Sequence, residues 1–248
     1  MCMFSSAVKD VAETKIFVRR VSRESQALVY SMQYQADVEL AMILPLPKSL
    51  GAGEEAVRFI DLSGYPRFFE DMARGFPKEN ISRSRDRVAV GVSTLRVHEV
   101  GNFEASWVPT LSDFSRLDSR FRLPVQIWDR LPQYADYGFA VFKLKAGNKS
   151  VHPIALEFQT REPYRLFFPT VHVHDGSVEP EALFHHYLYC QSEYPGSSWR
   201  ASALEGKPLL ASDFVNMDRS MGLLLPDQVI FERPVLGSYP NEDFWVAG

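Results

Sequence analysis

The sequence predicts an α+β fold that consists mainly of antiparallel β-sheet with a few helices. Apolar residues recur at every second position of residues 26–35, where Leu28, Tyr30 and Met32 fall on one face, and this period is that of a β-strand. Stretches with helical spacing are few, and regular helices do not separate the strands as parallel βαβ units require. A doubly wound parallel sheet is therefore not expected.

The first third of the chain predicts an antiparallel meander of three strands. The strands are predicted over residues 14–20, 26–35 and 39–47. Pro45 and Pro47 end the third strand, because proline cannot donate a hydrogen bond to a neighbouring strand. Residues 54–74 are then predicted to be helical, with a break at residues 64–66.

The rest of the chain repeats the strand pattern and adds two helices. Strands are predicted over residues 88–92, 94–100, 137–145, 151–160 and 165–174. One helix is predicted over residues 111–121, with Ser112 as its N-cap, and another over residues 212–222. Residues 182–191 fit either a strand or a helix. The tail after Pro226 is rich in proline and aromatic residues, so it is expected to pack in an extended form on the surface.

The composition is that of a soluble globular protein. Of the 248 residues, 46% are hydrophobic and 23% are charged, which argues against a disordered chain, a collagen-like chain or a coiled coil. The net charge of −4 argues against a general nucleic-acid binder, which normally carries a basic surplus. The longest apolar run, residues 40–46, is far shorter than a membrane-spanning helix, and the first residues lack the pattern of a secretory signal. The expected compartment is the cytoplasm, with no membrane partner and with reduced cysteines.

The domain organisation has two interpretations. Residues 1–248 are predicted to form a single domain. Alternatively, two β-rich halves, residues 1–76 and 88–248, are joined by the polar and locally basic residues 77–87, which are predicted to be a solvated linker. The adjacent carboxylates Glu242 and Asp243 are expected to be solvated surface charge.

The order of several apolar segments resembles an uncharacterised bacterial family, a domain of unknown function. The segments are TKIFV at 14–18, LVYSMQY at 28–34, LAMILPLP at 40–47, YGFAVFKL at 137–144, PIALEF at 153–158 and LFFP at 166–169. Members of that family pair a strand that ends in a VPVP-type segment with a later FVAVKL…PLRLSF…PIRL segment. The likeness spans residues 1–175 and implies a β-rich fold. It implies no activity, because none is established for the family.

A group of histidines is the first candidate site. His172, His174, His185 and His186 lie within fifteen positions, and Asp175 and Cys190 are near them in sequence. Alternation along a strand places His172 and His174 on one face, whereas only one of the adjacent His185 and His186 can join them. Imidazoles bind divalent transition metals such as zinc, and three protein ligands with an open position are typical of a catalytic site.

These histidines therefore predict a metal- or small-ligand-binding protein, with a metal-dependent hydrolase as an extension of that idea. The alternatives are histidines that are hydrogen-bonded in the fold or on its surface, and a pH-sensitive contact.

Cys2 is the second candidate. Removal of Met1 would place the Cys2 thiol beside a free α-amine, which is the arrangement of N-terminal-nucleophile amidohydrolases. The structural alternative is a small cysteine buried at the start of a strand. The two cysteines form no Cys-x-x-Cys pair, so the common zinc-ribbon and thioredoxin interpretations fail.

Aromatic residues in irregular segments support a third hypothesis, a non-catalytic protein-interaction module. Trp107, Trp128, Trp199 and Trp245 lie in loop-like contexts, and residues 191–200 form the best candidate for a binding loop. The expected partner is therefore a small molecule or a protein of unknown identity.

Overall fold

The computed structural model describes residues 3–77, 98–100 and 104–248. The strands are β1 Met3–Phe4, β2 Asp10–Ser22, β3 Ser25–Ala36, β4 Leu40–Leu46, β5 Val57–Ile60, β6 His98–Val100, β7 Glu104–Val108, β8 Gly138–Leu144, β9 Gly147–Gln159, β10 Arg165–Phe168, β11 Glu181–Gln191, β12 Arg200–Ala201, β13 Ala203–Leu204, β14 Lys207–Pro208, β15 Phe231–Pro240 and β16 Phe244–Ala247. The α-helices are α1 Phe68–Ala73, α2 Val125–Asp129 and α3 Ala211–Phe214. Short 3-10 helices occupy Glu54–Ala56, Leu111–Arg116, Ser119–Phe121, Pro132–Tyr134 and Met217–Arg219. The predicted predominance of antiparallel strands is confirmed.

The largest sheet has eight strands. Its order is β12-β15-β11-β2-β3-β9-β5, with β6 also beside β9. The pairs β11–β2 and β6–β9 are parallel, and the other neighbours are antiparallel. The long central strands β2 and β3 alternate as the sequence predicts, so that Ile16 and Val18 face one side of the sheet and Phe17 faces the other.

A second sheet, of order β1-β4-β8-β7, packs against one face of the first. The predicted meander is wrong at its third strand, because β4 pairs with β1 and β8 and not with β3. All seven residues of β4 are buried, so both of its faces need cover. The second sheet meets that need, since one face of β4 contacts the first sheet through the shared core.

A second hydrophobic core lies on the other face of the large sheet. Phe17, Val29 and Tyr189 point from β2, β3 and β11 into it. The short helices α1 and α3 cover them with a further set of buried side chains: Phe68, Phe69, Met72, Ala211 and Val215. Several strands are therefore buried on both faces, which explains their nearly continuous apolar sequences.

The helix predicted over residues 54–74 is mostly wrong. Val57–Ile60 forms the edge strand β5, paired with β9, because valine, phenylalanine and isoleucine favour strands and the neighbouring edge of β9 is free there. The α-helix is confined to Phe68–Ala73, after Pro66. Arg67, the residue before the helix, provides no side-chain cap.

The two other predicted helices are shorter than expected. Residues 111–121 form two 3-10 helices, and Thr110, not Ser112, precedes the first of them. Residues 212–222 do not form one helix, because Val215 and Asn216 adopt extended backbone between α3 and the 3-10 helix Met217–Arg219. The predicted strands over residues 88–97 lie outside the described residues, apart from His98–Val100.

The C-terminal tail is part of the sheet and does not merely pack on the surface, so that expectation is wrong. β15 pairs with β11 along ten residues, and Val235 is completely buried. β12 covers the other side of β15 only at Phe231 and Glu232. Pro234 and Pro240 are therefore tolerated, because a proline on a free strand edge removes no hydrogen bond.

Strands from both sides of residues 77–87 alternate within the large sheet. β2 and β3 come from residues before this segment, whereas their neighbours β11 and β9 come from residues after it. The described residues on the two sides therefore share their sheets and cores. The predicted linker itself lies outside the described residues, apart from Pro77. Among the helices of the described ranges, none has the length and apolar character to cross a membrane.

Candidate functional site

The segment that carries His172 and His174 follows β10 and is held mainly by side chains of the connection between β15 and β16. The backbone N–H groups of Thr170 and Val171 donate to one carboxylate oxygen of Asp243, at 2.7 and 3.1 Å. The Tyr134 hydroxyl donates to the other oxygen at 2.6 Å. Desolvation raises the pKa of Asp243 to about 6, although these three donors oppose the shift.

Asn241 holds the next residue of the segment in the same way, and we call Asn241 and Asp243 the clasp. Its Oδ1 accepts from the His172 backbone N–H at 2.7 Å, while its Nδ2 donates to the carbonyls of His172 and Glu179. On the opposite side, the N–H of Phe4 in β1 donates to the Val173 carbonyl at 2.9 Å. The segment from Thr170 to His174 is thus a seam between the N-terminal strand and the C-terminal strands. Strand β10 ends at Phe168, so the strand predicted over residues 165–174 is too long.

Three of the predicted histidines meet beside this seam. The rings of His172 and His174 stack with centroids 5.1 Å apart, and the His186 ring meets the His172 ring edge-on at 5.3 Å. Phe184 contacts both His172 and His186, at centroid distances of 4.3 and 4.8 Å. We call His172, His174 and His186 the histidine cluster.

Burial keeps the histidine cluster uncharged. Desolvation lowers the pKa of His174 to about 4 and also lowers the pKa values of His172 and His186. His186 is completely buried on the inner face of β11. Neutral imidazoles at physiological pH can donate, accept, stack or bind a metal.

The remaining predicted ligands lie apart from the cluster or are poorly suited to it. His185 faces the other side of β11, where its Nδ1 accepts from the Glu13 backbone N–H at 3.1 Å. Asp175 is exposed, and hydrogen bonds from Ser177 lower the pKa of its carboxyl group. Cys190 is buried in the core, where desolvation raises the pKa of its thiol, so the thiolate that binds metals is disfavoured.

The histidine cluster therefore gives the metal hypothesis little geometric support. Within residues 3–77 and 104–248, no three His, Cys, Asp or Glu side chains are placed so that they could hold a metal ion. Binding of zinc or a related metal, and the hydrolase derived from it, stay predictions that elemental analysis of the purified protein would test. The Cys2 nucleophile also stays a prediction, because residue 2 lies outside the described residues.

The tryptophans differ in their surroundings. Trp199 is buried against Phe168, so in the predicted binding loop of residues 191–200 it is Tyr194, 65% exposed, that faces solvent. Trp128 packs in the core against Phe139. Trp107 is half-buried, and its indole N–H donates to the Gly53 carbonyl. Trp245 lies under the guanidinium of Arg165.

The clasp residues were missed by sequence reasoning. Glu242 and Asp243 are predicted from the sequence to be solvated surface charge. For Asp243 this prediction is wrong, because its carboxyl group accepts hydrogen bonds from the seam that carries the histidine cluster. The alternating pattern of β15 and β16 was the signal that could have placed residues 241–243 in a tight connection between two strands. It was obscured by Pro234 and Pro240.

Comparisons with known proteins identify the fold. A comparison with protein-family models finds no match. The crystal structure of baculovirus P35 aligns over 99% of this chain and 99% of its own, with a TM-score of 0.55 and 12% identity. A mutated baculovirus P35 after caspase cleavage aligns with a TM-score of 0.48 and 13% identity, over 96% and 98% of the two chains. A caspase-8/P35 complex aligns with a TM-score of 0.47 and 11% identity, over 95% and 96%. The chain is thus similar in fold to baculovirus P35.

Proposed function

We propose that this chain acts by binding a protease of the caspase class. The observation that carries the proposal is the alignment with baculovirus P35, which extends over 99% of both chains, so that the likeness is one of whole folds and not of a shared motif. Structures of P35 after caspase cleavage and in a complex with caspase-8 give the partner class. Because fold alone does not determine function, the partner needs a direct test.

The candidate chemical groups favour a binding role over catalysis. The thiol of Cys190 is enclosed in the core, and beside the seam His172 and His186 are buried and His174 is half-buried. Desolvation holds each of these groups in its neutral form. A nucleophile or a general acid–base pair works best when it is accessible and has a pKa near the working pH. These groups instead support packing, as expected of a protein whose outer surface performs the function.

The test is an incubation of the purified chain with active caspase-8. We expect the rate of peptide-substrate hydrolysis to fall as the chain is added, and a complex of the two proteins to elute together in size-exclusion chromatography. Intact mass spectrometry of the mixture will show whether the chain is cut and at which bond. Caspase-8 with an alkylated active-site cysteine separates binding that needs the catalytic centre from binding elsewhere on the protease.

A variant pair sharpens the test. If the chain is cut, alanine at the residue preceding the cut bond is expected to abolish cleavage. The Asp218→Ala variant changes an exposed aspartate in a 3-10 turn and is expected to behave as the wild type. An unchanged hydrolysis rate together with separate elution of the two proteins contradicts the proposal.

A further inference from the structure

Three arginines and two aromatic residues meet where the β2–β3 turn contacts the start of β10 and the end of β16. Arg23 in the turn donates to the Tyr164 hydroxyl at 3.1 Å, and its guanidinium lies 5.9 Å from the centre of the Tyr164 ring. The guanidinium of Arg165 lies 4.4 Å above the Trp245 ring. Arg20 links the two pairs, because its Nη2 donates to the carbonyls of Glu162 and Arg165. We call Arg20, Arg23, Tyr164, Arg165 and Trp245 the arginine–aromatic patch.

The arginines of this patch have no carboxylate partner in the described part of the chain. Ion pairs engage other arginines, among them Arg58, Arg161 and Arg200, but not those of the patch. In addition, the N–H groups at Nε and Nη1 of Arg20 are buried and donate to no acceptor in the described part of the chain, so the charge of this guanidinium is poorly compensated.

Two acidic residues limit the charge of the patch. Glu162 interacts with Arg20 electrostatically without an ion pair, and Glu24 is exposed in the same turn. The surface is therefore only moderately positive. This moderate charge fits a few carboxylates better than the dense charge of a nucleic acid, which needs many unopposed cations.

The aromatic contacts prepare the guanidinium groups for a planar ligand. The contact with the Trp245 ring, 4.4 Å from its centre, restrains the Arg165 guanidinium, whose N–H donors form a rigid planar fork. Such a fork matches the two oxygens of a carboxylate. The side chains are also accessible, since Arg23 and Arg165 are exposed and Tyr164 is 68% exposed.

The residue types match those that carry binding energy at protein interfaces. Arginine, tyrosine and tryptophan dominate such sites, because they combine apolar area with directed hydrogen bonds. The Tyr164 ring, 68% exposed, supplies apolar surface at the patch. A ligand that combines carboxylates with apolar side chains, such as an acidic protein segment, complements this surface in charge and in shape.

We propose that the arginine–aromatic patch docks an acidic segment of a partner protein, whose aspartate or glutamate carboxylates accept hydrogen bonds from Arg23 and Arg165 while the Tyr164 ring covers its apolar side chains. This inference goes beyond the proposed binding of a protease and does not rest on it. The two fail separately, because the test below contains no protease.

The probe is a fluorescent peptide of about twelve residues that alternates glutamate with leucine and tyrosine, and the readout is its fluorescence anisotropy at low ionic strength. We expect saturable binding that the double variant Arg23→Ala/Arg165→Ala weakens by about tenfold or more. The matched control is Lys207→Ala/Arg219→Ala, which removes two exposed cations from other surfaces and should leave the affinity unchanged. Urea unfolding of all the proteins verifies that the variants are folded.

Three results would overturn the proposal. They are the absence of saturable binding, equal loss of affinity in the patch variant and the control variant, and retention of the affinity when glutamine replaces glutamate in the peptide. A single-stranded RNA probe, run in parallel, gives a further outcome. Tighter binding of RNA than of the acidic peptide, lost in the patch variant, would assign the surface to nucleic acid and reject the protein segment.

Discussion

The histidine cluster and the arginine–aromatic patch handle polar side chains in opposite ways. In the cluster, the imidazoles are buried or half-buried and uncharged, and the nearby Asp243 is satisfied by backbone N–H groups of another segment. In the patch, the guanidiniums of Arg23 and Arg165 remain charged and exposed, supported by aromatic rings from neighbouring strands. Burial therefore separates two roles: enclosed polar groups determine how stable the seam is, and exposed ones remain available to a partner.

The largest expected effect is acid destabilisation through the histidine cluster. The pKa of His174 in the fold is about 4, below its value in an unfolded chain, and the pKa values of His172 and His186 are lowered in the same direction by burial. The unfolded chain therefore binds more protons below about pH 6.5, and the stabilising contribution of these neutral imidazoles is lost as the pH falls through about 4. Each group can contribute up to about 3 kcal/mol over this range.

Asp243 works in the opposite direction. Its pKa in the fold is raised to about 6, so its contribution is fully present below about pH 4 and is lost as the pH rises through about 6. Three imidazoles outweigh one carboxyl group, and we expect the free energy of unfolding to fall by about 5 kcal/mol between about pH 7 and about pH 4. Urea titrations across this range measure it. His174→Leu should reduce the dependence of the free energy of unfolding on pH, whereas the control His185→Leu, on the other face of the same sheet, should leave it unchanged. A wild-type free energy of unfolding that does not change with pH would show that the cluster is not the acid-sensitive element.

The next effect in size concerns the clasp that carries the cluster. Asp243→Ala leaves the N–H groups of Thr170 and Val171 and the Tyr134 hydroxyl without their acceptor. We expect the free energy of unfolding to fall by about 3 kcal/mol, since each buried donor left unsatisfied costs about 1 kcal/mol or more. The exposed Asp218→Ala serves as control and should change it by less than about 0.5 kcal/mol. Equal urea midpoints for the two variants would mean that water replaces the carboxylate, and that the seam does not depend on it.

Sequence reasoning succeeded where a residue's role depends on its near neighbours. The alternation of Leu28, Tyr30 and Met32 predicts β3, because a strand face is a property of a few adjacent positions. His172 and His174 lie together as predicted, although they follow β10 and are not part of it. The opposite directions of His185 and His186 on β11 allow only His186 to join them. The short apolar run at residues 57–60 was misread as helix, because only its pairing with β9 identifies it as a strand.

What the sequence could not provide depends on contacts between distant segments. The partner of β4 is β8, almost a hundred residues later, and no local pattern selects it over β3. Asp243 becomes part of the seam only when β16 pairs with β10 and brings it to Thr170. Arg23 and Arg165 become neighbours through the same long-range packing, so the patch has no signature in the sequence. The chemical character of each residue in the two regions could therefore be predicted from the sequence. Which residues come together in each region could not.

The smallest expected effect is on stability when the patch loses a side chain, and it separates the two regions most directly. Arg165→Ala removes an exposed guanidinium and its contact with Trp245, which is worth about 0.5–1 kcal/mol at an exposed site, and water hydrates what remains. We therefore expect the free energy of unfolding to change by less than about 1 kcal/mol, with no added pH dependence, while binding of the acidic peptide falls. Urea unfolding and anisotropy on one preparation measure both quantities. Residues that are available to a partner protein should contribute little to the stability of the chain itself. A loss of stability as large as that of Asp243→Ala would therefore show that Arg165 stabilises the fold and is not mainly a binding residue.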